Sequence, residues 1–243
     1  MLDLHCHILP AVDDGAVDLD ASVAMARVLV GAGYTAVAPS PHFGEGPGGD
    51  VPVERAKAVR QQLILRLDQE EIALELLANA EHHVTPELFM RLAKGDIAPI
   101  GGGRWLLVEL PWGGVPQVEN VLFMLQSKGY RLLLAHPERY KFMEVDIAER
   151  LVERGVKLQL ELGSFADLYG RSATTKAKAM MERGLAHVFG TDMHQAEGAA
   201  AWIQKAQESI RRHYGEPALM RGVRDNPGLI LHDARGDEVL PLL

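Results

Sequence analysis

Seven short apolar runs alternate with seven amphipathic stretches along this chain, and that alternation restricts the fold more than any other feature. The runs fall at residues 2–5, 35–39, 72–78, 106–110, 131–135, 157–162 and 187–190. They are continuously apolar, as strands buried on both faces of a parallel sheet are. Helical patterns occupy 20–31, 53–70, 85–93, 115–127, 146–154, 173–183 and 196–213, with Gly33, Pro86, Gly129, Gly155 and Gly184 at the junctions. Seven strand-then-helix units predict an α/β chain folded as a distorted (β/α)7 TIM-like barrel, with a doubly wound open sheet as the competing architecture. A length of 243 residues suits one such domain over 1–243. Segment 44–52, with four Gly and two Pro, reads as a mobile loop, Gly101-Gly102-Gly103 as a tight connection, and the residues after Asn226 as a short strand or tail.

The ends of the runs carry the chemistry. His5 and His7 close the first run, separated by Cys6 and followed by Asp14; His42 follows the second, Glu81 the third, and Glu109 ends the fourth. His136 follows the fifth, and Asp192 and His194 the last. In a strand, residues two apart point the same way, so His5 and His7 share a side and Cys6 faces the other. In a βα barrel all C-terminal strand ends meet on one face, where such enzymes keep their active sites. Imidazoles mixed with carboxylates suit Zn, Fe, Ni or Mn. A polynuclear metal site is therefore expected.

Charge and composition exclude several other classes. A net charge of −8 argues against nucleic acid or an anionic membrane as the main partner. No apolar run is long enough to insert into a membrane, and no basic-then-apolar leader opens the chain, so a cytoplasmic location is expected. With one cysteine, no internal disulfide can form.

Four segments together resemble the polymerase and histidinol phosphatase (PHP) superfamily, and within it the bacterial tyrosine-protein phosphatases of capsule and exopolysaccharide operons, the CpsB/CapC type. They are the run from Asp3 through His5-Cys6-His7 to Asp13-Asp14-Gly15, Pro39-Ser40-Pro41-His42-Phe43, Ala135-His136-Pro137-Glu138-Arg139-Tyr140, and Thr191-Asp192-Met193-His194. Gly163-Ser164 and Gly170 add to the likeness. The resemblance implies two to three divalent metal ions, with manganese as the family's usual activating ion and iron or zinc also suited to the donors. It assigns His5, His7, Glu81 and Asp192 to one ion, Glu81, Glu109 and His136 to a second, and Asp14, His42 and His194 to a third. It implies a phosphotyrosine protein as substrate, with a bacterial tyrosine kinase as partner. A small-molecule phosphatase resembling histidinol phosphatase is the alternative, and a silenced barrel that only binds a kinase is the non-enzyme rival.

Charge counting agrees with phosphate chemistry. Four carboxylates set about −4 against about +6 from three divalent ions, which leaves room for a hydroxide nucleophile and a phosphate dianion. Arg139 is the candidate bidentate clamp on the phosphoryl oxygens. These phosphatases commonly carry an arginine about five residues after the last Asp-x-His; here Ala199 stands near that place, with Arg171 a possible substitute.

Other polar residues read as support. A cysteine-dependent phosphatase needs Cys-x5-Arg, but the position after Cys6 is Val12, so Cys6 reads as packing. Asp13 reads as a loop support, Glu138 as a helix-start residue, and His82 and His83 as wall or surface. His187, His213 and His232 read as non-ligands, and Trp105 and Trp112, on either side of Glu109, as packing. The direction of Glu161 is left open.

Overall fold

The computed structural model describes residues 1–44, 46 and 48–243; Glu45 and Pro47, and with them part of the loop expected at 44–52, lie outside the described residues. The strands are β1 (Leu2–Cys6), β2 (Ala36–Pro39), β3 (His42–Phe43), β4 (Glu75–Leu76), β5 (Glu81–His83), β6 (Trp105–Glu109), β7 (Arg131–Ala135), β8 (Lys157–Glu161) and β9 (Ala186–Gly190). All their pairings are parallel, in the orders β1-β2-β4 and β3-β5-β6-β7-β8-β9.

The two sheets form one ring. β2 and β3 are two lengths of one strand, interrupted at Ser40-Pro41, and β4 and β5 are likewise continuous in path across 77–80. Leu77 N–H donates to Val37 O and Glu81 N–H to Pro41 O, so the pairing carries on across both breaks. The ring shuts where Asp192 N–H donates to His5 O and His7 N–H to Met193 O, at 2.8 and 3.0 Å. The seven strand positions match the expected (β/α)7 arrangement.

Helices α1 (Leu19–Gly31), α2 (Val53–Gln69), α3 (Pro86–Lys94), α4 (Val118–Ser127), α5 (Val145–Glu153), α6 (Leu162–Phe165), α7 (Gly170–Glu182) and α8 (Ala199–Tyr214) follow the strands. α1 starts where the Asp18 carboxylate accepts from Ala21 N–H at 2.8 Å, a cap that contributes about 1 kcal/mol. Past α8 the chain differs from expectation. α9 (Glu216–Met220) and a π-helical turn over Arg221–Asp225 lead into α10 (Asn226–Leu231), a helix where a strand or tail was expected, and only residues 232–243 run on without helix or strand. Pro227 at the head of α10 lacks the N–H that a helix start leaves unpaired anyway, so it begins a helix as readily as it ends one.

Alternation along the strands sorts the core into two layers. Leu106, Val108, Leu132, Leu134, Leu158 and Leu160 join the large cluster beneath the helices. Trp105, Leu107, Leu133 and Val188 join a smaller one with Leu4, Ile230 and Val239. Trp105, Leu107 and Glu109 share a phase, so this inner cluster fills the ring below Glu109 and α10 closes its far end. Each fully buried Leu or Phe contributes about 1.5–3 kcal/mol. That apolar layer is what can offset the several buried carboxylates above it. Among the described residues no helix is long and apolar enough to cross a membrane.

Candidate metal centre

At the C-terminal mouth of the ring, β1 runs out into the loop 7–16. Gly15 is required there because a Cβ on it would lie 2.1 Å from His7 O; the loop folds back so tightly that Ala16 N–H donates to that carbonyl at 3.0 Å. The fold-back brings Asp13 and Asp14 to the histidines. Asp13 Oδ2 lies 2.9 Å from His7 Nδ1, and its Oδ1 accepts from Gly15 N–H at 3.0 Å. Asp13 thus supports the loop, as expected, and also aims the His7 ring. Near the start of β1 the buried Asp3 carboxyl, pushed up to about 6 by burial, accepts from Thr191 and ties β1 to the segment that carries Asp192.

All nine predicted donors lie at this mouth. His5 Nε2 is 3.3 Å from Glu81 Oε1 and 3.3 Å from Asp192 Oδ1. His7 Nε2 is 3.6 Å from Glu81 Oε2 and 3.4 Å from Asp192 Oδ1. His136 Nε2 stands 3.1 Å from Glu81 Oε1 and 3.8 Å from Glu109 Oε1. Asp14 Oδ1 is 3.3 Å from His42 Nε2 and 3.4 Å from His194 Nε2. The sets interlock: donor atoms of His7, Asp14, His42 and His194 fall within 4.8 Å of one another, as do those of His5, His136 and Asp192. His42 also reaches Glu81, through Nδ1 at 3.1 Å. Glu81 therefore stands at the centre, facing His5, His7, His42 and His136.

These groups fit divalent cations. The Nε2 atoms of His5 and His7 converge to 3.3 Å of each other and on two carboxylates, all buried. Burial alone would lower the histidine pKa values, but Asp13, Asp192 and Glu81 raise His7 well above 6.5, and Glu81 raises His42 and His136. Burial would raise the carboxyls of Glu81 and Asp192, yet the surrounding imidazoles hold both below their ordinary values. The cluster draws in positive charge, and N/O donors of this type accept Mn, Fe or Zn. Two donors hold non-glycine residues in the left-handed region, His136 at φ 38° and Asp192 at φ 48°. Backbone strain of this kind, about 1–3 kcal/mol each, gathers at functional sites.

Gln159 and Glu161 are site neighbours that the motifs did not identify. The Gln159 amide lies 2.8 Å from His5 Nδ1 and 3.1 Å from Glu161 Oε1. With its nitrogen in that position its Oε1 is buried without a partner. A half-turn of the amide lets Gln159 Oε1 accept from His5 Nδ1–H and leaves the lone pair of His5 Nε2 free for a cation. Glu161, pushed well above the carboxylate range by burial and by Asp192, can then donate to the same oxygen. Gly190 makes room, since a Cβ there would lie 2.4 Å from the Gln159 amide. A signal existed in the sequence: in 157–161 polar and leucine residues alternate, which puts Gln159 and Glu161 on the barrel side.

His83 is buried with Nδ1 3.1 Å from Glu109 Oε2, and His82 Nδ1 lies 3.0 Å from Leu107 O. Glu138 sits in the 3-10 turn Pro137–Arg139 and accepts from Glu161 N–H and Ser164 Oγ–H, both at 2.8 Å. Trp105 is packing, as expected, donating to Ala234 O at the opposite end. Trp112 is not only packing: it is 40% exposed and stacks on His136 at 5.5 Å. Cys6 is fully buried and its thiol pushed well up by burial. His187 is buried, and its ring meets Lys157 and the Leu158 backbone rather than any of the donors.

A cavity of about 100 Å³ opens over the donors, lined by Trp112 and Arg139 as well. Arg139 is the only Arg or Lys on its lining among the described residues. It donates to the Asp192 carboxylate and lies between the rings of Tyr169 (4.2 Å) and Trp112 (5.2 Å). Ala199 is fully buried at the start of α8, and Arg171 is exposed on α7 and does not line the cavity.

A parallel βα ring that gathers five histidines and four carboxylates at one mouth, seven of the nine lining a small cavity beside an arginine, is the arrangement of a metal-dependent hydrolase. More narrowly, residues 1–232 match the profile of the family described as capsular polysaccharide synthesis, CpsB/CapC, and the chain belongs to that family. The tyrosine-protein phosphatase YwqE of Bacillus subtilis (strain 168) is 33% identical over 236 residues, covering 96% of this chain and 92% of its own. The tyrosine-protein phosphatase CpsB of Streptococcus pneumoniae is 25% identical over 249 residues, covering 96% and 99%. One chain among the crystal structures of YwqE from Bacillus subtilis and CpsB from Streptococcus pneumoniae, described as unique metal-dependent tyrosine phosphatases, superposes with a TM-score of 0.87 at 30% identity, covering 96% of this chain and 95% of that one.

Proposed function

We propose that this chain is a metal-dependent phosphomonoesterase that releases phosphate from tyrosine in a protein, with a bacterial tyrosine kinase as its partner, in the cytoplasm and in capsule or exopolysaccharide synthesis. The gathering of nine donors at one barrel mouth, seven of them lining the cavity that Arg139 also lines, carries the proposal, and kinship with YwqE and CpsB supports it. His5, His7, Glu81 and Asp192 would hold one ion, Glu81, Glu109 and His136 a second, and Asp14, His42 and His194 a third, with manganese preferred. When bound, such ions supply Lewis acidity and a water acidic enough to be a nucleophile near neutral pH.

The chain's own groups do the rest. Arg139 offers a planar pair of N–H groups to two phosphoryl oxygens, and its rigid seat between Tyr169 and Trp112 limits the entropy it loses on binding. Asp13 and Gln159 keep the His7 and His5 rings aimed. The exposed Trp112 face offers a wall for the tyrosyl ring. Tyrosinate, with a free pKa of about 10, is a tolerable leaving group.

The test is one assay of the manganese-loaded protein on a phosphotyrosyl peptide and on histidinol phosphate. The peptide is expected to be turned over with kcat/KM at least about tenfold higher, a preference of roughly 1.4 kcal/mol. Cys6→Ser is expected to keep most of that activity, since a buried, protonated thiol is no nucleophile. Preference for histidinol phosphate would support the small-molecule alternative; complete loss of turnover in a folded, metal-loaded Cys6→Ser protein would point to thiol chemistry.

A further inference from the structure

The 100 Å³ cavity is too small for more than the reacting group, so the rest of a protein substrate must lie outside it. Beside it a groove of about 630 Å³ runs away from the donors, and Asp192 and His194 line both. A volume of this order lies within the roughly 300–1,000 Å³ range of clefts that hold organic ligands. One bank carries Leu168 and Tyr169, and Tyr169 is the ring on which Arg139 rests. The other is the first turn of α8, where Ala201 and Trp202 face the groove. Glu197 and Lys205 supply a polar rim.

The Leu168 bank is held in place. Lys205 Nζ donates to Ala166 O and to Asp167 Oδ2, both at 2.9 Å, and Asp167 takes φ 67°, a left-handed conformation for a non-glycine residue. The strapped turn leaves Leu168 47% exposed above the groove. An apolar side chain kept in solvent by a strained, tethered turn has a reason to be there if a second apolar group covers it. The residue facing it across the groove, Ala201, is small and exposed, so the channel stays open.

We propose that this groove receives the polypeptide on one side of the phosphotyrosine, with an apolar side chain seated against Leu168, Ala201 and Trp202. This rests on the phosphotyrosine reading above. The occupant follows from continuity: a phosphoryl group between the donors and Arg139 points its attached chain along the shared Asp192–His194 edge. An apolar lining with a polar rim then selects an apolar residue within an otherwise hydrated peptide.

The experiment uses the manganese-loaded full chain, p-nitrophenyl phosphate and three phosphotyrosyl peptides: one with Gly and Ser on both sides, one with Phe on the N-terminal side and one with Phe on the C-terminal side. One Phe-flanked peptide is expected to exceed the Gly/Ser peptide by about tenfold in kcat/KM, chiefly through KM, as burial of one large apolar side chain allows. Ala201→Phe, which fills the groove, and Leu168→Ala, which removes a bank without overpacking anything, should each erase most of that preference. Both should leave p-nitrophenyl phosphate within about twofold of wild type, because neither residue lines the reacting cavity. Brisk hydrolysis of all three peptides with no preference, or variants that slow every substrate alike, overturns the groove assignment alone. Hydrolysis of p-nitrophenyl phosphate with none of any peptide overturns the phosphotyrosine reading and the groove with it.

Discussion

Glu81→Ala is expected to lose metal and to lower kcat/KM on a phosphotyrosyl peptide by about a thousandfold or more, some 4 kcal/mol of transition-state stabilisation. Glu81 is the carboxylate common to most of the cluster. Its oxygens face His5 at 3.3 Å, His136 at 3.1 Å and His42 at 3.1 Å. Removing it leaves these three imidazoles and that of His7, at 3.6 Å, without their shared anion and takes a ligand from two proposed ions at once. Asp14→Ala is the control. Its side chain is 53% exposed and its carboxylate pairs with His42 and His194 at the edge of the cluster, so the loss should stay near tenfold to a hundredfold. Metal analysis and steady-state kinetics on both variants decide the matter. Wild-type metal content in Glu81→Ala, or a larger loss in Asp14→Ala, would contradict the central place given to Glu81.

Arg139→Ala should lower kcat/KM for the same peptide by roughly tenfold to a hundredfold while metal content stays at the wild-type level. A charge-assisted bidentate contact is worth about 1.5–3 kcal/mol, and all of it appears in rate if the contact is made in the transition state. No other Arg or Lys lines the cavity among the described residues, so nothing is placed to compensate. Arg139→Lys should recover only part of the loss, because an ammonium cannot present two parallel donors. Metal binding should survive, since the change removes a cation from Asp192 and not an anion. Kinetics like those of wild type in Arg139→Ala would mean that phosphate is held by metal alone. Ala199→Arg would not test the same point: Ala199 is fully buried, and a long side chain there would have to displace core.

The strands and the donor set were legible in the sequence because they depend on local signals. Runs such as 106–110 and 131–135 are continuous and apolar, and they match β6 and β7 to within a residue. His5, His7, Glu109 and His136 sit at such strand ends, so the barrel expectation alone carried them to one face. β3 and β5 were illegible because His42-Phe43 and Glu81-His82-His83 are short and polar. They are strands only because neighbours pair with them. α10 was obscured by Asn226-Pro227-Gly228, which reads locally as a turn. Gln159 and Glu161 were readable from alternation but belong to no motif. The aim of Arg139 toward Asp192 depends on the left-handed turn at His136, and the bank at Leu168 on the strap from Lys205; neither can be derived from local pattern.

The central claim is that nine side chains at one barrel mouth form a metal centre that hydrolyses phosphotyrosine. The most direct measurement is the metal content of the purified protein, taken together with its activity on a phosphotyrosyl peptide before chelation, after chelation and after manganese is restored. Two to three equivalents of divalent metal, activity abolished by the chelator and activity recovered with manganese are the predicted result. Less than one equivalent under metal-replete conditions, with activity surviving prolonged chelation, would contradict it.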